Sequence, residues 1–113
     1  MAGYRARIID AQLKRSLATF GAVILQGPRA AGKTTTARTF ANSSVRLDAS
    51  PELPAIASAS PRTILEGDTP RLIDEWQLAP EIWNAVRHEV DERGQPGQFI
   101  LTGSASPTDT LTH

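Results

Sequence analysis

The sequence predicts an α/β fold built on a parallel sheet, because short apolar runs alternate with segments of helical periodicity. Apolar runs typical of buried strands lie at residues 22–25, 45–48, 71–75 and 98–102. Strands that alternate with helices form parallel sheets with right-handed crossovers. No internal repeat or domain boundary interrupts this order, so residues 1–113 are expected to form one domain.

Three helices are predicted beside these strands. The first 20 residues contain an amphipathic helix over 5–20, which is expected to pack against the sheet beside the first strand. Its apolar stripe consists of Ile9, Leu13, Leu17 and Phe20. A second helix is predicted over 33–42, and a third begins near Pro80 and continues to about residue 92, with Ile82, Trp83, Val86 and Val90 facing inward.

Two segments lack regular patterns. Residues 49–70 are rich in Pro, Ala and Ser, which predicts a loosely ordered connection with at most a short helix over 53–59. The tail at 105–113 has no periodicity and is expected to fray.

Residues 27–34 read GPRAAGKT and match G-x-x-x-x-G-K-[ST], the loop that wraps nucleotide phosphates; we call this segment the phosphate loop. Its glycines let backbone N–H groups point at an anion, and the following helix presents its positive dipole end. Lys33 is predicted to contact the β- and γ-phosphates, and Thr34 to bind Mg²⁺. Arg29 could face either nucleotide or solvent. The predicted nucleotide-binding residues are Gly27, Pro28, Arg29, Ala30, Ala31, Gly32, Lys33, Thr34 and Thr35. The simpler alternative is a glycine-containing turn.

An acidic pair, Asp74-Glu75, follows the apolar residues of the third strand. Because neighbouring strand residues face opposite ways, the two carboxylates are expected to have different roles. The Asp74 carboxylate is suited to bind Mg²⁺, either directly or through a water molecule. Glu75 suits a general base that polarises the attacking water. Alone, such a pair is more often a strand end that meets solvent, but after a phosphate loop it indicates a nucleotide site.

The last predicted strand ends in Thr102-Gly103-Ser104. In the P-loop class with an added strand between the phosphate loop and the aspartate strand, this strand end carries a polar residue that touches the γ-phosphate or the water. Thr102 and Ser104 are the candidates, with Thr102 preferred as a catalytic residue. The alternative is a Gly-Ser turn that ends the strand.

Together, GPRAAGKT, LIDEWQLAPEIW at 72–83 and FILTGSAS at 99–106 resemble a group of prokaryotic AAA-type ATPases, whose members usually carry an uncharacterised C-terminal domain. The resemblance implies an α/β, parallel-sheet P-loop NTPase core of the ASCE or AAA type. It also implies that the Thr102 strand lies between the phosphate-loop strand and the Asp74 strand. The implied ligands are ATP and Mg²⁺.

The sequence is shorter than is usual for this group, so we expect an N-terminal part, truncated after the fourth strand. An arginine finger is worth about 10³ to 10⁵ in rate. We expect a second copy of the chain or a missing C-terminal region to supply it and so complete the site. Two interpretations stay open: weak Mg²⁺-dependent ATP hydrolysis, and a non-catalytic nucleotide-binding remnant or regulatory module.

Charge and composition limit the classes of partner and the cellular environment that the sequence favours. Residues 1–46 hold eight Lys or Arg against one Asp, whereas 47–113 hold four against eleven acids. Nucleic-acid binding is not favoured, because no stacking aromatics interleave with the basic residues. The absence of cysteine excludes disulfides and fits a reducing cytoplasm. No apolar stretch approaches the length of a membrane helix, and no signal peptide is visible.

Other conspicuous residues have simpler explanations. Trp76 and Trp83 are expected to pack rather than to stack on adenine. His88 has no second His or Cys at metal spacing and is expected near the surface. Asp48 fits either a polar support for the site or a cap for the next turn. No guanine-reading or ABC-type signature is present, and a small-molecule kinase fits the acidic pair less well than an ATPase does.

Overall fold

A computed structural model of the protein describes residues 2–27 and 33–104. Helices and strands alternate through these residues. The strands are β1 (Ala22–Gly27), β2 (Ser43–Arg46), β3 (Arg71–Asp74) and β4 (Phe99–Ser104). The helices are α1 (Ala2–Thr19), α2 (Lys33–Phe40), α3 (Glu52–Ala59), α4 (Pro61–Leu65) and α5 (Ile82–Arg93), with a short 3₁₀ helix at Trp76–Leu78.

The four strands form one parallel sheet in the order β1, β4, β3, β2. The predicted α/β parallel sheet is therefore confirmed, with β4 between β1 and β3 as the resemblance implied. All four carboxyl ends lie at the same edge of the sheet, which we call the carboxyl edge. Ligands of open α/β sheets bind outside this edge, so it is the part of the fold that matters for function.

The sheet separates two layers of apolar side chains. The larger cluster packs β3 and β4 against α3, α4 and α5, and the smaller packs them against α1 and α2. The larger contains Leu47, Ala57, Ile64, Leu65, Ile73, Ala79, Ile82, Val86, Phe99 and Leu101; the smaller contains Leu13, Ala37, Leu72 and Ile100. Strand side chains alternate between faces. Asp74 and Thr102 consequently share the face of the smaller cluster, whereas Gly103 lies on the face of the larger.

We expect Leu101→Ala to lower the free energy of unfolding by about 2–5 kcal/mol, because it empties space in a packed core. Leu101 is completely buried in the middle of β4. Urea denaturation followed by circular dichroism measures the change. Leu78→Ala is the matched control, because Leu78 is 46% exposed. Equal destabilisation by the two variants would contradict the assignment of β4 to the centre of the core.

The segment 49–70 is more ordered than predicted. The short helix expected over 53–59 is present as α3, but the expectation of a loose connection around it is wrong. The segment forms α3 and α4, which bury Ala57, Ile64 and Leu65 in the larger cluster. The prolines suggested interruptions of helical structure, but Pro51 is the N-cap of α3 and Pro61 is the first residue of α4. Proline fits these positions because its missing N–H has no partner in the first turn of a helix.

Several element boundaries also differ from expectation. Helix α1 ends at Thr19, and Phe20 is 58% exposed, so its predicted place on the inward stripe is wrong. The chain turns there toward β1. Leu13 is buried and Leu17 packs beside it, which agrees with the predicted stripe. Helix α2 ends two residues earlier than predicted, at Phe40.

Strand β2 is displaced from its predicted range of 45–48. It pairs with β3 from Ser43 opposite Arg71 to Arg46 opposite Asp74, and Asp48 lies in the turn that follows. The apolar signal was centred on Val45 and Leu47, but pairing with the short β3 decides where the strand ends. Helix α5 starts at Ile82 rather than Pro80 and ends where Gly94 adopts a left-handed conformation, with φ of 62°.

Candidate functional site

Strand β1 and helix α2 flank the phosphate loop. Strand β1 ends at Gly27, the first glycine of the motif, and α2 begins at Lys33. The strand and helix that the motif requires on its two sides are therefore present. The predicted contacts of Pro28, Arg29, Ala30, Ala31 and Gly32 lie outside the described residues. Thr34 and Thr35 follow Lys33 in the first turn of α2, and Thr35 is exposed. The roles of all these residues stay predictions.

The structure brings Asp74 and Thr102 together at the ends of two neighbouring strands. Asp74 is opposite Thr102 in the β3–β4 register, and the Thr102 Oγ1 hydroxyl donates to Asp74 Oδ1 at 2.5 Å. Asp74 is 6% exposed and Thr102 is completely buried. Short hydrogen bonds to a carboxylate are stronger than neutral ones. Thr102 therefore holds the orientation of the Asp74 carboxylate, and its predicted contact with phosphate or water stays a prediction.

Arg46 is a neighbour of Asp74 that the sequence did not single out. It ends β2 opposite Asp74, and its Nε lies 3.9 Å from Asp74 Oδ2. Its closer partner is Asp48, whose carboxylate oxygens accept hydrogen bonds from Arg46 Nε and Nη2, each at 3.3 Å. Hydrogen bonding to Asp48 and the Asp48 charge raise the pKa of Arg46, and Asp74 and Glu75 add to the rise. Arg46 could have been identified as a site residue from its place at a strand end, but only once β2 was known to pair with β3.

Glu75 leaves the strand instead of continuing it. Its backbone is left-handed, with φ of 57° and ψ of 44°, and a 3₁₀ helix begins at the next residue. The strand predicted over 71–75 therefore ends one residue early, at Asp74, and strand alternation does not relate Asp74 to Glu75; a backbone turn at Glu75 does. Gln77 Nε2 donates to Glu75 Oε2 at 2.8 Å. The sequence did not single out Gln77, although it lies two residues after Glu75 in the LIDEWQLAPEIW segment.

The two tryptophans pack against each other beside the acidic turn. The ring centroids of Trp76 and Trp83 are 6.2 Å apart with an interplanar angle of 42°, and both side chains contact the larger apolar cluster. This geometry supports the expected packing role. Together with Ile24 and Gln26 they also line a cavity of about 390 Å³ on that face of the sheet. His88 is exposed on α5, as expected. The side chain of Ser104 is outside the described part of the structure.

Neither a preformed metal cage nor a membrane helix is found in residues 2–27 and 33–104. No three His, Cys, Asp or Glu side chains in this part of the chain are grouped so that they could hold a metal ion. None of the helices there is both long and apolar enough to cross a bilayer.

Comparison with known proteins agrees with this architecture. The sequence model of the AAA domain family matches residues 19–110, which include all four strands. Uncharacterized proteins of Mycobacterium bovis and Mycobacterium tuberculosis are each 38% identical to the chain over 100 residues. These matches cover 86% of the chain and 23% of each relative, so the chain spans about a quarter of the length of these relatives. The chain belongs to the AAA domain family, whose domain is one that binds nucleotides.

Proposed function

We propose that the protein binds ATP with Mg²⁺ at the carboxyl edge and hydrolyses it slowly. The observation that carries this proposal is the strand order, because β4 sits between the strand that enters the phosphate loop and the strand that ends in Asp74. The Thr102 hydroxyl thereby lies on the strand beside β1, with Thr102 opposite Leu25, and the Asp74 carboxylate that it bonds lies one strand further on. A phosphate-binding turn beside a fixed carboxylate is the arrangement that phosphoryl transfer requires.

The donor set fits Mg²⁺. This ion prefers oxygen ligands, keeps several waters and is usually held by one or two carboxylates together with substrate phosphates. Asp74 offers a buried carboxylate whose Oδ1 is already oriented by Thr102. The lack of a three-residue cage among the described side chains agrees with an ion held partly by nucleotide and water. When bound, Mg²⁺ neutralises charge on the phosphates.

Each predicted residue has a defined task in this proposal. The backbone of 27–32 surrounds the phosphates, Lys33 supplies a positive charge to them, and the Thr34 hydroxyl joins the metal shell. Asp74 holds the metal, and Thr102 orients Asp74. Glu75 accepts a proton from the attacking water.

A binding-only function is the second candidate. The chain spans 23% of the length of the relatives that it matches, and the activity of those longer proteins is not established by this part. Transition-state charge in phosphoryl transfer is commonly neutralised by an arginine, worth about 10³ to 10⁵ in rate. We propose that a second copy or a further region supplies this group, and that binding does not depend on it.

Asp74→Asn tests the assignment of the metal. We expect this variant to lose most of the Mg²⁺-dependent part of its ATP affinity, because asparagine keeps the size of the side chain but removes its charge. In the presence of a chelator, the ATP affinity of the variant should stay within about threefold of the ATP affinity of the unchanged protein. A threefold change is smaller than the contribution of one hydrogen bond to a charged group. Calorimetric titration with and without Mg²⁺ measures both affinities.

The matched control is Asp68→Asn, which removes an exposed carboxylate before β3, at the opposite edge of the sheet. It should bind Mg²⁺-ATP as the unchanged protein does. The metal assignment fails if Asp74→Asn and Asp68→Asn respond equally to Mg²⁺. ATP binding itself fails if the unchanged protein gives no saturable heat with Mg²⁺-ATP.

A further inference from the structure

Gln77 occupies an unusual position beside Glu75. Its Nε2 donates to Glu75 Oε2 at 2.8 Å, while its Oε1 is buried and has no hydrogen-bond partner within the described part of the chain. A buried acceptor without a partner lowers stability, because it loses its hydrogen bonds to water and gains none in the folded protein. A leucine of similar volume would fill the same space without that loss. Packing alone therefore does not explain an amide at residue 77.

The backbone of Glu75 adds a second unfavourable feature. It is the one non-glycine residue with positive φ among 2–27 and 33–104. Left-handed conformations of such residues cost free energy and occur often at functional sites. Here the conformation turns the chain out of β3 into the 3₁₀ helix, where the Leu78 N–H donates to the Glu75 carbonyl at 3.2 Å. The tight turn brings Gln77 back over the Glu75 carboxylate.

Gly103 on β4 makes room for the Gln77 amide. A Cβ atom on Gly103 would overlap Gln77 Oε1 and would lie 3.5 Å from Trp76 Nε1. Only a residue without a side chain lets the amide lie directly against the strand. Consecutive residues of β4 thus lie beside the two acids on opposite faces of the sheet: Thr102 bonds Asp74, and Gly103 leaves room for the amide that bonds Glu75.

We propose that Gln77 is a positioning residue that holds the Glu75 carboxylate in place for water activation, with Gly103 leaving the space that the amide occupies. The inference rests on the proposed function, because it assigns a partner to the proposed base. In that reaction the water oxygen bonds to the γ-phosphorus while a water proton passes to Glu75. The bond from this phosphorus to the bridging oxygen breaks, and ADP and phosphate leave. The two local costs at Glu75 and Gln77 are the kind that proteins retain at functional sites.

Gln77→Leu is the first test, since it removes the donor and keeps the volume. We expect turnover to fall about tenfold, the size expected for loss of one hydrogen bond to a charged group, with the Kd for Mg²⁺-ATP unchanged. Gly103→Ala keeps the amide but pushes it from its place, and should lower turnover in the same way. Gln95→Leu is the matched control, because Gln95 is exposed in the loop after α5.

A double-mutant cycle separates positioning from general damage to the fold. In a Glu75→Gln background, Gln77→Leu should cause no further loss of turnover, measured in single-turnover assays with radiolabelled ATP. Equal loss in both backgrounds, or wild-type turnover in Gln77→Leu, overturns the proposal. The side-chain amide resonance of Gln77 should also move in ¹⁵N spectra of nucleotide-free Gly103→Ala, which tests the role of Gly103 without any reaction.

Binding and turnover of the unchanged protein separate a failure of the proposed function from a failure of the proposed role of Gln77. If it does not bind Mg²⁺-ATP, the proposed function fails, whatever the variants do. If it binds Mg²⁺-ATP without any turnover, binding stands and the positioning role of Gln77 is overturned. If it binds and turns over while Gln77→Leu and Gln95→Leu behave alike, only the role of Gln77 is lost.

Discussion

Replacing Lys33 with alanine is expected to weaken Mg²⁺-ATP binding by about 10- to 100-fold, the amount that one hydrogen bond to a charged group contributes. Lys33 is the first residue of α2, directly after the phosphate loop that leaves β1. Its ammonium group is expected to contact the β- and γ-phosphates, where the positive end of the helix dipole adds to it. Isothermal titration calorimetry with Mg²⁺-ATP measures the loss directly.

The chain offers a precise control for this variant, because Lys14 and Lys33 are its two lysines. Lys14 is exposed on α1, so Lys14→Ala makes the same chemical change and the same change in net charge at a distance from the loop. It should leave the affinity unchanged. Equal affinity in Lys33→Ala and the unchanged protein would remove the basis for the phosphate-loop assignment.

Glu75→Gln should reduce any ATP turnover by about 10²- to 10⁴-fold, the usual contribution of a general base, while Mg²⁺-ATP binding persists. The variant keeps the shape of the side chain and an oxygen that can accept from Gln77, but it cannot take a proton from water. Phosphate release under saturating Mg²⁺-ATP reports turnover, and calorimetry reports the affinity. A large fall in turnover with little change in Kd is the signature of a group that acts in the transition state.

Glu66→Gln is the matched control for this experiment, since Glu66 is exposed at the end of α4. It should hydrolyse ATP at the rate of the unchanged chain. If the unchanged chain is no faster than Glu75→Gln, the slow-hydrolysis proposal is wrong and the binding-only function is the one that remains.

Much of the sheet could be predicted because its signals are local. The apolar runs that became β1, β3 and β4 are short and bounded by polar or glycine residues, as buried parallel strands are. The position of β4 came from the resemblance, and the structure confirms it. Asp74 and Thr102 were both identified from strand ends, and they prove to be hydrogen-bonded.

What the sequence could not provide depends on contacts between distant segments. The prolines of 49–70 were interpreted as signs of a loop. Proline interrupts a helix from its interior but fits the first turn, and the sequence alone does not show which of these positions a proline occupies. The end of β2 depends on the length of β3, so Arg46 could not be set opposite Asp74 beforehand. The Gln77 contact forms across the left-handed turn at Glu75, and glutamate gives no local signal for that conformation.

The alternation along β4 makes the site sensitive to slippage of the strand. A shift of one residue between β3 and β4 would exchange the faces of Thr102 and Gly103, leaving Asp74 without its hydroxyl donor and forcing a threonine side chain against Gln77. Phe99, Ile100 and Leu101 are completely buried and divide between the two apolar clusters. The same three side chains that stabilise the sheet therefore prevent this misalignment. Damage to them should impair the acid pair even where the helices remain folded.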